Sequence, residues 1–135
     1  MNKECIPYQQ ALELKELGFN LECGYLYNTT DDNHLPFPCD EPGMCKDWNT
    51  LYTHNTNKHL LSAPLYQQVF RWFREEHDLR VRSYVFKNDS NVITECFEIF
   101  KCYREFNETI WRGFHSTYEK AELASINKLI ELIKK

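Results

Sequence analysis

The chain has 135 residues, an aromatic content of 15% and a formal charge of −4 from 16 basic and 20 acidic side chains. This length is typical of one compact domain whose core needs no metal or disulfide, and we expect a single domain over residues 1–135. The acidic balance disfavours a protein that coats duplex nucleic acid, and no apolar run is long enough to cross a bilayer.

The amino-terminal half predicts one helix, one strand and a long loop. The first residues lack the apolar core of a secretory signal, so we expect a cytoplasmic protein whose cysteines are thiols. The helix is predicted over residues 7–17 and ends at Gly18, a residue that favours the left-handed position after a helix. Aromatic and apolar residues over 21–27 predict a strand. Residues 31–61, rich in Pro, Asn and Thr, predict a long irregular loop.

The central helix is predicted between Ser62 and His77. The hydroxyl of Ser62 is expected to cap the first turn, and Pro64 suits that turn because its missing N–H costs nothing there. An apolar stripe at helical spacing predicts a buried face. The stripe consists of Leu65, Val69, Trp72 and Phe73.

The carboxy-terminal half predicts a β-hairpin and a final helix. Residues 107–115, which follow the hairpin, are interpreted as a connector. Ser116 and Glu119 match a capping box, and an amphipathic helix follows to the end of the chain. The predicted strands of the hairpin are 80–86 and 92–105, joined by a turn at 87–91.

The order of these elements predicts the α+β class. We expect a small antiparallel sheet of about three strands packed against three helices, with the helices in a single layer on one face. The sequence shows no internal repeat and no domain boundary.

Three segments resemble an uncharacterised family of small proteins common in gut bacteria, their phages and integrative elements. The resemblance covers the two ends and the middle of the chain, and it implies a mobile-element setting without an established activity. Relatives in that family vary over residues 34–61 and need not carry its Cys and His residues. The three segments read IPYQQALELKELGF, SAPLYQQVFRWFRE and YEKAELA.

Four residues of the long loop have side chains that zinc prefers as ligands. Their spacing is C-x5-C-x8-H-x4-H, which differs from that of a standard zinc finger, and a chain of this length folds without metal. We therefore predict no metal and no cofactor. The four residues are Cys39, Cys45, His54 and His59.

The sequence lacks the common catalytic motifs of serine hydrolases, zinc proteases, phosphate-binding loops and dinucleotide-binding folds, and we predict a protein that is not an enzyme. Arginines cluster on and after the central helix, close to tryptophans. Guanidinium groups bind phosphate and aromatic rings stack on bases, so this clustering predicts an anionic ligand. A solvated helix face above an aromatic core is the alternative. The predicted ligand-binding residues are Arg71, Arg74, Trp72, Arg80, Arg82 and Trp111.

Two hypotheses of function follow. The first is a non-enzymatic binding protein of phage or mobile-element origin that sequesters an anionic small molecule, such as a nucleotide immune signal, as counter-defence. The alternative is an accessory protein or inhibitor that binds a host protein through an exposed aromatic patch. Either is compatible with a homo-oligomer, and neither involves duplex nucleic acid or a membrane. A concave basic pocket would favour the first hypothesis and a flat aromatic patch the second.

Overall fold

The computed structural model describes residues 5–19, 21, 23–30, 32–38 and 60–134. These residues form three helices and two three-stranded antiparallel sheets, so the α+β class is confirmed, with two small sheets where one was expected. The chain divides into two compact units, residues 1–69 and 70–135, and their boundary falls inside the central helix. The single domain therefore stays a prediction. The four loop residues considered for zinc lie outside the described residues.

The first unit packs one helix beside a sheet. Its strand order is β2-β1-β3, and both pairings are antiparallel. The amino-terminal segment is held on this unit because the hydroxyl of Tyr27 donates a hydrogen bond to the carbonyl of Ile6 at 2.6 Å. Burial raises the pKa of Tyr27 to about 12, with a smaller contribution from the nearby Cys5. The elements are α1 (Tyr8–Glu16), β1 (Tyr25–Asn28), β2 (Phe37–Pro38) and β3 (Leu60–Ser62).

Helix α1 ends where the sequence predicts. Gly18 has a φ of +95°, a conformation that costs a glycine little because it has no Cβ. The N–H of Phe19 donates to the carbonyl of Leu14, and the N–H of Gly18 donates to that of Lys15. This pair of bonds is the Schellman motif, which satisfies carbonyl groups left open at the end of a helix.

The central helix, α2 (Tyr66–His77), begins later than the sequence predicts. Ser62 lies in β3, before the helix begins, and the side chain of Gln68 accepts a hydrogen bond from the N–H of Leu65. The reason is non-local, because Leu65 forms an extended bridge with Cys5 and the chain cannot turn into a helix before it. The buried stripe is confirmed for Val69, Trp72 and Phe73.

The second unit consists of the end of α2, a sheet of order β4-β5-β6 and helix α3, which packs on β5 and β6. The predicted hairpin is confirmed, but two interpretations are wrong. Strand β5 ends at Cys102, and residues 107–115 form a third strand rather than a connector. A turn closed by the Tyr103 N–H and the Phe106 carbonyl reverses the chain between them. The elements are β4 (Arg80–Lys87), β5 (Ile93–Cys102), β6 (Asn107–His115) and α3 (Tyr118–Lys134).

Helix α3 is capped one residue later than expected. The hydroxyl of Thr117, not that of Ser116, accepts a hydrogen bond from the N–H of Lys120 at 3.2 Å. Thr117 directly precedes the helix, which is the position where a side-chain oxygen reaches the free N–H groups of the first turn.

Gly113 makes room for the indole ring of Trp111 on the same strand. A Cβ added at Gly113 would stand 2.4 Å from the nearest ring atom, so the ring would have to move. We expect Gly113→Ala to lower the free energy of unfolding by about 1 to 3 kcal/mol, the usual cost of overpacking. Urea denaturation followed by circular dichroism measures this loss.

Gly24→Ala is the matched control for this substitution. An added Cβ at Gly24 meets no atom within 4 Å, and Gly24 does not have a positive φ. Its change in stability should stay within about 0.5 kcal/mol. Equal losses in the two variants would contradict the packing role of Gly113.

Candidate ligand-binding face of the second sheet

The second sheet has one face toward α3 and an opposite face, which we call the outer face. The ring of Phe97 on β5 contacts the ring of Tyr118 on α3 at a centroid distance of 5.1 Å. Because side chains alternate along a strand, the neighbours of Phe97 point away from α3. The outer face comprises Arg80, Arg82, Tyr84 and Phe86 of β4, Thr94, Cys96, Glu98, Phe100 and Cys102 of β5, and Asn107, Thr109, Arg112 and Phe114 of β6.

A row of three charged residues crosses the middle of the outer face. Arg82 and Arg112 are the direct cross-strand partners of Glu98 on either side. Nε of Arg82 donates to Oε2 of Glu98 at 2.8 Å, and Nη2 of Arg112 donates to Oε1 at 3.3 Å. The hydroxyl of Thr109 also donates to Oε1. Both carboxylate oxygens of Glu98 are therefore occupied, which fixes the two guanidinium groups beside it.

Glu98 is shielded from water although it lies on an exposed face. Its side chain is 2% exposed, whereas those of Arg82 and Arg112 are 49% and 47% exposed. The hydrogen bond from Arg82, helped by those from Thr109 and Arg112, lowers the pKa of Glu98 to about 2 against the opposing effect of desolvation. The carboxylate is thus ionised at neutral pH, and it holds two arginines that still face solvent.

Each guanidinium group has N–H donors that do not bond to Glu98 and can bind a further acceptor. Arg82 binds Glu98 through Nε, and its guanidinium carbon lies 4.5 Å from the ring centroid of Phe100. Arg112 binds through one terminal nitrogen. Among the described residues, no other side chain accepts a hydrogen bond from either group. Both therefore present N–H donors in fixed positions, the arrangement that suits phosphate or carboxylate.

Aromatic rings lie on one side of this row. Phe86 and Phe114 are exposed, and their rings are 5.6 Å apart with an angle of 30° between their planes. The rings of Tyr84 and Phe86 meet edge to face at a centroid distance of 5.2 Å. In register, Phe114 lies two residues beyond Arg112, so this ring pair is next to the guanidinium row. Exposed rings of this kind offer flat faces on which a planar group can stack.

The accessible charge of the outer face is positive. Glu98 is the only carboxylate among its residues, and it is shielded, whereas Arg82 and Arg112 are exposed. Arg80 also lies on this face and pairs with Asp78 at 3.7 Å. Residues 70–135 hold 12 of the 16 basic side chains and 11 of the 20 acidic ones, so the positive face belongs to the less acidic unit. The outer face suits a ligand that is both anionic and planar.

The structure brings only part of the predicted site together. Arg80 and Arg82 lie on the outer face. Trp111 is half-buried on the opposite face, where it pairs with Ile99. Trp72 was predicted to stack on a ligand. It is only 3% exposed and packs against Phe73, so its ring is not accessible to a ligand in this structure.

The two predicted arginines of α2 are exposed but lie away from the outer face. Helix α2 contacts the sheet on the α3 side, where Phe70 meets Phe97. On the exposed side of the helix, Nε of Arg71 donates to Glu75 one turn later at 2.9 Å. The side chain of Arg74 is exposed as well. The pair is a solvated helix face in this structure.

Sequence reasoning missed Arg112, Phe114, Phe86 and Glu98. The sequence holds a signal for Glu98 and its basic partner. An isolated carboxylate between the apolar residues Phe97 and Ile99 needs a basic partner if the strand is buried. Once residues 107–115 are taken as a strand, Arg112 becomes the nearest candidate across the sheet.

No protein-family model matches the chain, and neither a curated protein nor a solved structure matches it. Within the described ranges, no group of three or more His, Cys, Asp or Glu side chains is placed to hold a metal ion. No helix in the same ranges is long and apolar enough to span a membrane.

Proposed function

We propose that the chain is a non-enzymatic binding protein whose outer face takes an anionic ligand with a planar aromatic group, as in a nucleotide. One observation carries this proposal. Glu98 fixes Arg82 and Arg112 in one exposed row beside the exposed rings of Phe86 and Phe114. The guanidinium groups would bind the phosphate, and the rings would stack on the base.

Stability alone gives little reason for an ionic row in the middle of a sheet. Charged groups lose hydration when they are shielded, and well-packed apolar residues often serve a fold equally well or better. Glu98 instead orients two guanidinium groups whose outward donors remain usable. Such preorganisation strengthens ligand binding because less rotamer entropy is lost on association.

Isothermal titration calorimetry with a panel of linear and cyclic nucleotides tests this proposal. We expect saturable heat that weakens as salt is added. Arg82→Lys and Arg112→Lys should each weaken binding about tenfold, because a point charge replaces a planar fork of donors. The matched control is Arg71→Lys, which changes an exposed arginine of α2 and should leave affinity unchanged.

Two results would contradict the assigned site. If no nucleotide of the panel gives heat, the ligand class is wrong. If Arg71→Lys weakens binding while Arg82→Lys does not, the ligand binds α2 as the sequence first predicted.

The biological role proposed for this binding follows from the resemblance to mobile-element proteins. A protein that holds a nucleotide without hydrolysing it would lower the free concentration of a host immune signal. In the calorimetric panel, this counter-defence role requires that a signalling nucleotide bind more tightly than common mononucleotides.

A host protein is the second candidate partner. The exposed rings of Phe86 and Phe114 are large apolar side chains of the kind that protein interfaces bury, and they favour a protein partner independently of the arginines. Salt separates the two candidates. Binding dominated by aromatic burial should persist at high salt, whereas binding to the guanidinium row should be lost.

A further inference from the structure

Strand β4 forms an open edge of the second sheet. It pairs with β5 on one side, and no other strand of the described residues lies on its second side. Every other residue of an edge strand points its N–H and C=O groups away from the sheet, so the eight residues of β4 turn about four of each away from β5. These groups are a template on which another extended segment can pair.

The other edge of this sheet is less suited to the addition of a strand. On β6 the bulge at Ile110 interrupts the regular pairing, and bulges are one of the devices by which proteins protect an edge. Strand β4 has no bulge, because all eight of its residues pair with β5 in an unbroken register. A regular ladder can therefore be extended more easily at β4 than at β6.

Two exposed apolar side chains lie next to each other on β4. Val85 is 57% exposed and Phe86 is 45% exposed. Because neighbouring residues of a strand point to opposite faces of the sheet, a ligand bound on one face covers only one of the two. A strand laid along the edge covers part of both, since its own side chains alternate in the same way. The two side chains therefore favour an added strand over a ligand on either face.

The charged side chains of β4 are all positive. They are Arg80, Arg82 and Lys87, and the strand contains no carboxylate. Nε of Arg80 has no hydrogen-bond partner among the described residues, and the carboxylate of Asp78 that pairs with it is 3.7 Å away, beyond the usual range of a hydrogen bond. The side chain of Arg80 is 41% exposed, so its guanidinium group is accessible to an acidic neighbour.

From these observations we propose that β4 binds an acidic, extended segment of a partner protein as an additional antiparallel strand. Antiparallel pairing is slightly more stable per residue than parallel pairing, and both strand pairs of this sheet have it. Hydrogen bonds to the main chain would give affinity, and the alternating side chains would give selectivity. The proposal does not depend on nucleotide binding, because it concerns the edge of the sheet and not a ligand on its face.

The side chains of β4 define the pattern of the partner segment. Arg80 and Arg82 are two residues apart and point to the outer face, so two acidic residues of the partner must also be two residues apart. Tyr84 and Phe86 follow on the same face. In an antiparallel strand the residues beside these rings come first, so apolar residues should precede the acidic ones, again at every second position.

Other occupants fit this edge less well. A second copy of β4 would bring positive charges together, and basic side chains on an edge protect proteins against such self-pairing. A neutral or basic strand would form the same main-chain hydrogen bonds without a counter-charge for the arginines. A nucleic acid is anionic, but it has no alternating N–H and C=O groups that could continue the ladder.

Fluorescence anisotropy with labelled peptides tests the proposal. The peptide FTVTETET places its two glutamates beside Arg82 and Arg80 when it runs antiparallel to β4. The control peptide FTVTEETT has the same composition, but its adjacent glutamates point to opposite faces in every register. We expect the first peptide to bind about fivefold more tightly than the control, with an advantage that shrinks as salt is added.

Two N-methylated forms of the first peptide test whether it adds to the ladder. One form carries methyl groups on the backbone nitrogens of the odd positions and the other on those of the even positions. Only one of these two sets of N–H groups can face β4 in an added strand. One form should therefore bind nearly as well as the parent peptide, and the other should not bind.

Arg80→Gln should weaken the first peptide about threefold, because it removes one cross-strand charge pair. The matched control is Arg74→Gln, which changes an exposed arginine of α2 and should leave the affinity unchanged. Circular dichroism establishes that both variants keep the fold of the parent.

Three results would overturn the proposal. If both N-methylated forms bind equally well, or neither the parent peptide nor either form binds, no strand is added at β4. If the two glutamate spacings bind equally well, the edge does not select an alternating acidic segment. If the protein alone sediments as a dimer that Val85→Lys dissociates, a second copy occupies the edge. Nucleotide binding is measured in separate titrations, so the proposed function can stand or fail independently of these results.

Discussion

Replacement of Phe73 by alanine is expected to lower the free energy of unfolding by about 3 to 5 kcal/mol, and Trp72→Ala should cost a similar amount. Phe73 is fully buried and Trp72 nearly so. Their rings meet edge to face at 5.0 Å, and Trp72 also contacts His77 at 4.8 Å. Each truncation removes the burial of a large ring and leaves a cavity. Urea denaturation followed by circular dichroism measures the loss.

Phe114→Ala is the matched control for these two truncations. Its ring is exposed and contacts Phe86, so its removal should cost less than about 1 kcal/mol of stability while it weakens nucleotide binding. A small stability change for both Phe73→Ala and Trp72→Ala would mean that these two rings of α2 are not buried in the core.

The elements that sequence predicts well are those defined by neighbouring residues. The end of α1 depends on Gly18 alone, because only glycine takes its backbone conformation without cost. The turn between β4 and β5 is also defined by neighbouring residues. The side chain of Asn88 accepts hydrogen bonds from the N–H groups of Ser90 and Val92, and Asn91 takes a positive φ. Asparagine favours both arrangements, so the hairpin is visible in the sequence.

The elements that sequence misses depend on distant partners. The start of α2 is delayed by the bridge between Leu65 and Cys5, two residues far apart in the chain. Strand β6 is hidden by a bulge. Ile99 pairs with Trp111 and Phe100 pairs with Thr109, which leaves Ile110 as an extra residue. The bulge breaks the two-residue alternation by which a strand is recognised.

The same bulge explains why the candidate site was only partly predicted. It places Thr109 and Arg112, which are three residues apart, on one face, where both donate to Glu98. In a regular strand, residues three apart would point to opposite faces. Arg82 belongs to a cluster of arginines that is visible in the sequence, but the partner arginine comes from β6 and is brought close only by the pairing of three strands.

The arginines of α2 show the limit of clustering as a signal. Arg71 and Glu75 are one helical turn apart, a spacing that pairs opposite charges on an exposed helix. Such pairs add little stability and leave the arginine solvated. A cluster in sequence therefore indicates a ligand site only when buried groups hold the side chains in place, as Glu98 holds Arg82.

Stability is expected to fall as the pH is lowered from about 4.5 toward 2, and Glu98 should account for part of the loss. Its pKa is about 2 in the folded protein and 4.5 without the fold, so the folded state favours the ionised form. The contribution of Glu98 is therefore complete above about pH 4.5 and disappears as the carboxylate becomes protonated. The shift corresponds to at most about 3 kcal/mol.

Glu98→Gln tests this contribution without a change in side-chain size. At pH 7 the variant should be less stable than the parent by up to about 3 kcal/mol, because it leaves Arg82 and Arg112 without their counter-charge. The matched control is Glu95→Gln, which removes a carboxylate from the other face of the same strand. The difference between the urea midpoints of the parent and of Glu98→Gln should be smaller at pH 3 than at pH 7. The difference between the parent and Glu95→Gln should not narrow in this way. If Glu98→Gln keeps the full stability of the parent at pH 7, the carboxylate does not organise the guanidinium row. The preorganised anion site on the outer face would then lose its basis.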